Sequence, residues 1–241
     1  MPPRSSCTRT ICRITTRERD GDPGANGVQS LPVAPTVSGD AAGQEGRRAP
    51  RLVLASSSTS RRDVLTHAGL AFEVAPADVD ERWEPSDDPA TVVRSLARAK
   101  AHVIAASRPG DYVLGCDSLF FVDGVLAGKP ASPDEIDRRW REMAGRSGVL
   151  YTGHALDHDG RSVDEVVATT VYFGEPTADE RAAYVSSGEA LGASGAFTLE
   201  GRSAAFIERV DGDAHNVLGL SVAALRRLLA IYGVPISALW R

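Results

Sequence analysis

The sequence has few cysteines and no long apolar run. Its three cysteines, Cys7, Cys12 and Cys116, do not form a disulfide framework. No apolar segment approaches the roughly 20 residues that a membrane span requires. Zinc-ligand spacing and the Gly-x-Ser-x-Gly elbow of serine hydrolases are also missing. We therefore expect a soluble, cytoplasmic protein without membrane partners.

Aromatic residues are missing from the first 50 positions. This segment contains no Phe, Trp or Tyr, but it holds six Gly and six Pro. Such a composition cannot bury enough apolar surface to offset the entropy lost on ordering. Periodic apolar patterning begins at Leu52. The sequence thus predicts a disordered extension over residues 1–50 and one folded domain over residues 51–241.

Positive charge is scarce in the predicted domain. The first 50 residues hold seven of the 27 basic and five of the 32 acidic residues, which leaves 20 basic and 27 acidic residues for the domain. Broad nucleic-acid binding needs a basic surface, so we expect no nucleic-acid partner. Basic groups that cluster locally in such a domain are candidates for anion sites.

Strand-like and helix-like segments alternate along the domain, which predicts an α/β fold with a mixed sheet. Strands are predicted over 52–55, 71–74, 149–156, 166–173 and 204–210, and helices over 58–68, 89–104, 132–145, 177–188 and 222–232. Ser58, Ser132 and Thr177 are the predicted N-caps. Between the predicted helices over 89–104 and 132–145, a strand is predicted to break at Gly115, so that Asp117 would lie at a strand end.

The segment LVLASSSTSRRDVL places a hydroxyl-rich loop between a strand and a helix. Ser58 is the predicted N-cap, and Arg61 and Arg62 lie in the first turn, where the helix dipole disfavours cations. A phosphate bound at this N-terminus would resolve the conflict. The alternative is an ordinary capped helix whose arginines face solvent.

Two acids and two lysines form a second set of candidates. Glu81, in PADVDER, and Asp117 have the hard oxygen ligands that a divalent cation prefers. Lys100 and Lys129 are candidate phosphate contacts, although the glycines around Lys129 do not match a P-loop. The alternatives are acidic turns for the carboxylates, a snorkelling side chain for Lys100 and a solvated loop position for Lys129.

Other titratable residues are predicted to be structural. His154 and His158, with Asp157 between them, resemble a metal cluster, but exposed positions on a hairpin explain them better. Cys116 has no evident base partner, so we predict that it is a small buried apolar residue.

Taken in order, these motifs resemble the Maf family of nucleoside triphosphate pyrophosphatases. They are LASSSTSRRDVL, DVDE, LARAKA, GCDS, GKP, GRSGVLYTGHAL, YVSSGEAL, SGAFTLEG and NVLGL, and the resemblance covers about residues 51–220 and beyond. The resemblance implies an elongated α/β structure related to inosine-triphosphate pyrophosphatases, with a twisted mixed sheet flanked by helices and a cleft between two lobes. It also implies hydrolysis of a nucleoside triphosphate to the monophosphate and pyrophosphate.

The resemblance also implies roles for individual residues. Ser58 and Arg61 would bind phosphate, while Glu81, Lys100, Asp117 and Lys129 would complete the site, with Asp117 as proton acceptor. Glu81 and Asp117 would hold a divalent metal, Mg²⁺ or, as the alternative, Mn²⁺. The substrate would be a non-standard or surplus nucleotide.

Three positions tied to base choice in the family depart from its common pattern. Ser60 stands where Arg is common, Ser118 where Thr is frequent, and Glu200 where the pyrimidine branch has Gln. A carboxylate accepts the paired N1–H and 2-amino donors of guanine, and one family branch with a Glu here prefers 7-methylguanosine triphosphate. We therefore predict guanine-type substrates. The alternative is that Glu200 pairs with Arg202 or Arg209.

A different class of function is also open. The family took its name from a role in septum formation, so the chain could be a non-catalytic nucleotide-binding regulator. A sugar-phosphate phosphatase or kinase is disfavoured, because neither a phosphorylatable nucleophile motif nor a P-loop is present. The sequence leaves the oligomeric state open between a monomer and a homodimer.

Overall fold

The computed structural model describes residues 49–84 and 87–241. They form one seven-stranded sheet with helices packed on it. The extension predicted over residues 1–50 lies outside the described residues except for its last two positions. The strands are β1 (Leu52–Leu54), β2 (Phe72–Val74), β3 (Tyr112–Val122), β4 (Val125–Ala127), β5 (Ser147–His158), β6 (Arg161–Phe173) and β7 (Ile207–Asp211).

Helices connect and cover these strands. They are α1 (Thr59–His67), α2 (Pro89–Ala105), α3 (Pro133–Met143), α4 (Ala178–Ser186), α5 (Ala214–Val217) and α6 (Val222–Ile231), with short 3₁₀ turns between some of them. The side chains of Ser58, Ser132 and Thr177 each accept a backbone N–H in the first turn of α1, α3 and α4, so the three predicted N-caps are confirmed. None of the described helices is both long and apolar enough to span a membrane.

The sheet has a parallel half and an antiparallel half. Its strand order is β2-β1-β3-β5-β6-β7, with β4 paired to β3. Strands β1, β2 and β3 run parallel, because α1 and α2 return the chain between them, whereas β3 to β7 pair antiparallel. This confirms the predicted mixed α/β sheet. One detail differs: residues 202–206 form a 3₁₀ turn, and β7 begins only at Ile207.

Strand β3 does not break at Gly115, contrary to the prediction. It runs through eleven residues, and Asp117 lies in its interior instead of at an end. The glycine is required by helix packing: a Cβ at Gly115 would lie 2.1 Å from the carbonyl oxygen of Ala97, and one at Gly153 would lie 2.2 Å from that of Val93. The backbone of α2 therefore rests directly on β3 and β5.

Two hydrophobic clusters occupy opposite ends of β3. One contains Leu114 with side chains from β1, α1 and α6, and the other contains Phe120 with Trp140 and side chains from α3, α4 and β6. Ser118 lies between these clusters on one face of β3, whereas Asp117 belongs to the opposite face, where it contacts Lys100 of α2. Two apolar cores are therefore packed separately along this face of β3.

Candidate active site

One cavity, of about 390 Å³, collects most of the residues that the sequence singled out, and we call it the main cavity for that reason. Its lining side chains include Ser58, Arg61, Glu81, Lys100, Asp117, Ser118, Lys129 and Arg139. These residues come from the α1 N-terminus, the segment after β2, α2, β3, the turn after β4, and α3. Of the nine predicted site residues, Ser60 and Glu200 alone do not line this cavity.

Lys100 bridges two carboxylates at the centre of the site. Its ammonium lies 2.5 Å from Glu81 Oε1 and 2.6 Å from Asp117 Oδ1. Lys100 and Asp117 are buried, whereas the Glu81 side chain is 58% exposed. Helix α2 approaches β3 closely because Gly115 has no side chain, and this approach brings Lys100 into contact with Asp117. The ion pair therefore depends on the glycine.

The two carboxylates suit a divalent metal ion. Both present a hard oxygen ligand to the same point, within 2.6 Å of one nitrogen. Mg²⁺ commonly uses one or two carboxylates together with substrate phosphates and water. No group of three or more His, Cys, Asp or Glu side chains in the described ranges is arranged to hold a metal. The donor set therefore fits an ion that takes its remaining ligands from a phosphorylated substrate.

Arg61 is a buried cation that contacts only neutral oxygens among the described residues. Its guanidinium donates to the carbonyl of Gly219 at 2.7 Å, to Ser56 Oγ at 3.1 Å and to Ser118 Oγ at 2.9 Å. A buried positive charge without a carboxylate partner is costly. Arg61 therefore has a strong electrostatic preference for a bound anion.

Arg62 behaves differently from its neighbour. It is exposed, and it donates to Thr59 Oγ1 at 2.9 Å. The alternative of a solvated arginine therefore holds for Arg62 and fails for Arg61.

Lys129 lies on an anchored turn at the mouth of the cavity. The preceding carbonyl, of Gly128, accepts from Arg139 Nη1 at 2.6 Å and from the Gly195 amide at 3.2 Å. Gly128 also packs against Trp83, since a Cβ there would lie 3.2 Å from the indole ring. Lys129 is exposed and forms no ion pair within the part of the chain that the structure describes. The backbone next to Lys129 is thus anchored, and its ammonium is available to an anion.

A second cavity of about 90 Å³ adjoins the first. Ser60 lines it together with Phe197 and Thr198, and the two cavities share Ser118. Ser118 Oγ accepts from Arg61 and is 3.0 Å from Thr152 Oγ1, so this serine also supports the arginine. One polyanionic ligand with an attached ring could span both spaces.

Glu200 lies outside both cavities. Its carboxylate is exposed and accepts from the hydroxyl of Thr198, which does line the second cavity. The arginines of the alternative interpretation are engaged elsewhere, because Arg202 pairs with Glu189 and Arg209 lies over the ring of Tyr172. The role of Glu200 in base choice stays a prediction.

Sequence reasoning missed Arg139 and Trp83. Arg139 follows Glu135 by one helical turn, and the two form an ion pair that orients the guanidinium towards Gly128.

The number of lysines was an available signal for the site, since the chain has 25 arginines but only two lysines, Lys100 and Lys129. Both line the main cavity. An ammonium is a compact point charge, whereas a guanidinium is a planar fork, so the two are not interchangeable. The two positions that carry Lys instead of Arg therefore indicate the site.

The predicted exposure of His154 and His158 is wrong. His154 is fully buried, and its Nε2 accepts from the Ser221 amide at 2.8 Å. His158 is half-buried and stacks on Tyr112 at 3.9 Å between ring centroids. The alternation of side chains along β5 predicts which face of the sheet each residue occupies. It does not predict whether a helix covers that face, because that packing involves distant parts of the chain.

Cys116 is buried as predicted, and burial raises its thiol pKa to about 12.

His154 makes stability depend on pH. Burial, and then the positive charge of Arg61, lower its pKa from 6.5 to about 4. Between these values the unfolded chain binds a proton that the folded chain does not, so the free energy of unfolding falls as pH drops from 6.5 towards 4. We expect His154 to contribute a loss of about 2 kcal/mol between pH 7 and pH 4.5.

Denaturant unfolding at several pH values measures this contribution. His154→Gln retains an acceptor for Ser221 but has no titrating group, so its stability should decline less steeply over the same range. Parallel curves for the two proteins would mean that His154 is not a source of the pH dependence.

The sequence is similar to known proteins over most of its length. Residues 51–232 match the Maf-like protein family. The nucleoside triphosphate pyrophosphatase of Streptomyces coelicolor is 52% identical over 194 residues, which cover 79% of this chain and 94% of the relative. Proteins of the same name from Streptomyces avermitilis and Nocardia farcinica are 48% and 46% identical, over 79% of this chain and 94% and 96% of their own lengths.

Solved structures give a more distant match. The Ham1 protein of Staphylococcus aureus aligns with 74% of this chain and 90% of its own, at 13% identity and a TM-score of 0.41. This likeness carries no conclusion about fold or activity. The family match over residues 51–232, together with 52% identity to a relative covered over 94% of its length, shows that this chain belongs to the Maf-like protein family.

Proposed function

We propose that this protein hydrolyses nucleoside triphosphates to the nucleoside monophosphate and pyrophosphate. The observation that carries the proposal is the convergence, in one cavity, of a lysine-bridged carboxylate pair with two cations that have no carboxylate partner among the described residues. The printed name of the curated relatives, nucleoside triphosphate pyrophosphatase, supports the same reaction.

The charges of the site suit a triphosphate. Arg61 and Lys129 lie free of carboxylates in the described part of the chain, and the N-terminus of α1 adds its partial positive charge. A nucleoside triphosphate carries about four negative charges, which need such compensation in a domain that is acidic overall. The phosphates would occupy the main cavity and the nucleoside the adjoining one.

The reaction forms one bond and breaks another. A water oxygen attacks the α-phosphorus, and the bond from the α-phosphorus to the α–β bridging oxygen breaks. Asp117 accepts the proton that the water loses. Pyrophosphate leaves with the bridging oxygen, and Lys100, Lys129 and Arg61 stabilise the negative charge that develops on it.

Glu81 and Asp117 are the residues that would hold a divalent metal, Mg²⁺ or Mn²⁺. When bound, such an ion neutralises phosphate charge and polarises the reacting phosphoryl group. The chain itself positions both carboxylates: Asp117 is fixed inside β3, and Glu81 is tied to it through Lys100.

We extend the proposal to a guanine-type base. Glu200 is an acceptor-only carboxylate when ionised, and it accepts a hydrogen bond from Thr198, which lines the second cavity. Guanine offers two adjacent donors on one edge, whereas uracil and thymine present one N3–H between two carbonyls that repel a carboxylate. We expect the small side chains of Ser60 and Ser118 to leave room for a purine.

Glu200→Gln tests the base preference. An amide can donate to a carbonyl and accept from N3–H, so this variant should move the ranking of kcat/KM from GTP-type substrates towards UTP and dTTP. We expect a change in the ratio of about tenfold or more, because mispaired polar groups discriminate strongly between bases. A wild-type preference for UTP, or an unaltered ranking in the variant, would remove Glu200 from base selection.

Arg61→Ala tests the phosphate contact. Loss of a charge-assisted hydrogen bond costs about 1.5–3 kcal/mol, so KM for the triphosphate should rise about 10- to 100-fold. The three oxygens that Arg61 now satisfies would lose their donor, so stability should fall as well. The control is Arg62→Ala, which alters an exposed neighbour. An unchanged KM together with a collapsed melting temperature would make Arg61 purely structural.

The proposed reaction is tested by pyrophosphate release from a panel of standard and modified nucleoside triphosphates with Mg²⁺ or Mn²⁺. We expect turnover with monophosphate and pyrophosphate as the products. Preference for modified bases would support removal of non-standard nucleotides as the biological role. Tight nucleotide binding without any product would favour the non-catalytic regulator of septum formation instead.

A further inference from the structure

The bridge from Lys100 bears on how a metal ion enters the site. Glu81 Oε1 and Asp117 Oδ1 both contact the same ammonium, at 2.5 and 2.6 Å. An ion held by these two oxygens needs the space between them, and the ammonium fills that space. Lysine and metal therefore compete for one position between the carboxylates.

We propose that Lys100 is an internal counter-ion that occupies the metal position in the nucleotide-free protein and is displaced only when metal and triphosphate bind together. This inference rests on the proposed function, because it assigns an order of events to that same site. It predicts that the two ligands bind with strong positive coupling.

The coupling follows from burial and charge. The Lys100 side chain is only 9% exposed, and a buried ammonium without partners is costly. A metal ion that took both carboxylates alone would leave the ammonium unpaired and next to a dication. A triphosphate bound at the same time offers phosphate oxygens to the displaced ammonium. Each ligand thus removes the penalty that opposes the other.

The local structure permits this exchange. Lys100 has a flexible four-carbon stem, in contrast to a rigid guanidinium. Glu81 lies on a segment without helix or strand, and its side chain is 58% exposed, so it can follow a metal. Asp117 is held within β3 and supplies the fixed partner. One carboxylate therefore stays in place while the lysine and the other carboxylate rearrange.

Binding of Mn²⁺ to the nucleotide-free protein tests the proposal. Removal of the competing charge in Lys100→Met should tighten Mn²⁺ binding by about tenfold or more, since a unit charge in contact with a cation interacts strongly even at a high effective dielectric. The same variant should bind an α,β-methylene analogue of GTP more weakly. If Lys100 has a purely structural role, Lys100→Met should bind both Mn²⁺ and the analogue more weakly.

Lys129→Met is the matched control. It removes the only other lysine of the chain, from the same cavity but without a described carboxylate contact. It should weaken binding of the analogue and leave Mn²⁺ affinity unaltered. Equal or weaker Mn²⁺ binding by Lys100→Met than by wild type would overturn the proposal.

A second measurement uses the wild-type protein, so it does not depend on whether Lys100→Met folds. With lysine labelled by ¹³C at Cε, the spectrum contains two signals, and Lys129→Met assigns them. Mg²⁺ with the α,β-methylene analogue should shift the Lys100 signal far more than the same concentration of Mg²⁺ alone. A Lys100 signal that does not move with both ligands present would refute the displacement.

These measurements are independent of turnover. Pyrophosphate release tests the proposed function, whereas Mn²⁺ titration of the nucleotide-free protein tests the counter-ion. If no pyrophosphate is released but Lys100→Met binds Mn²⁺ more tightly than wild type, Lys100 controls a cation site that serves another activity. The opposite result would leave the pyrophosphatase without this gating.

Discussion

Asp117→Asn should reduce turnover by about 10²–10⁴-fold, near the upper end of that range, while the fold persists. Asp117 is the buried carboxylate of the site, fixed inside β3 and bonded to Lys100. An amide cannot accept the proton of the attacking water, and it is also a poorer metal ligand. Because Asn has nearly the same shape, hydrogen bonding within the strand should survive.

Steady-state pyrophosphate release measures this effect, with circular dichroism and melting temperature as checks on the fold. Asp78→Asn is the matched control, since Asp78 is exposed and lies on the same acidic segment as Glu81 but does not line the main cavity. If Asp117→Asn keeps a kcat near that of wild type, Asp117 is neither the proton acceptor nor an essential ligand.

Gly115→Ala should destabilise the domain by about 3 kcal/mol or more, at the upper end of the cost of overpacking. The new Cβ would lie 2.1 Å from the backbone oxygen of Ala97 and 2.7 Å from the backbone nitrogen of Ala101, so a rotamer change cannot relieve the contact. Helix α2 would have to move away from β3. That movement would also separate Lys100 from Asp117, so activity should fall with stability.

Denaturant unfolding gives the free energy directly. Gly192→Ala is the control, because a Cβ there meets nothing within 4 Å. It should change stability by no more than about 0.5 kcal/mol. Similar unfolding free energies for the two variants would contradict the close packing of α2 on the sheet.

Local chemistry in the sequence predicted the helix starts and most strands. The caps at Ser58, Ser132 and Thr177 depend on a side chain and on the backbone two or three residues further on, so a short window contains the whole interaction. The apolar periodicity of the strands has the same local origin. For these elements the sequence pattern and the folded structure agree.

Features that depend on distant parts of the chain could not be predicted this way. A glycine that ends a strand and a glycine that admits a crossing helix have the same local sequence, so Gly115 was misjudged. Burial of His154 depends on elements 60 or more residues away. The contact between Lys100 and Asp117 was within reach only as a family expectation, because the packing of α2 on β3 creates it.

The site residues show the same division. Motifs identified Ser58, Arg61, Glu81 and the two lysines as residue types suited to phosphate and metal chemistry. The structure adds that Arg61 is buried against neutral oxygens, which no local pattern encodes. It also adds Arg139, whose contribution is to hold the carbonyl that precedes Lys129.

Hydrolysis in H₂¹⁸O tests the central claim most directly, because the isotope records which phosphorus atom is attacked. The wild-type protein would be incubated with GTP, or with the best substrate of the panel, and the products analysed by ³¹P NMR and mass spectrometry. Attack of water on the α-phosphorus, with Asp117 as proton acceptor, predicts one ¹⁸O atom in the nucleoside monophosphate and none in pyrophosphate. Label in pyrophosphate, or release of labelled inorganic phosphate, would contradict the account.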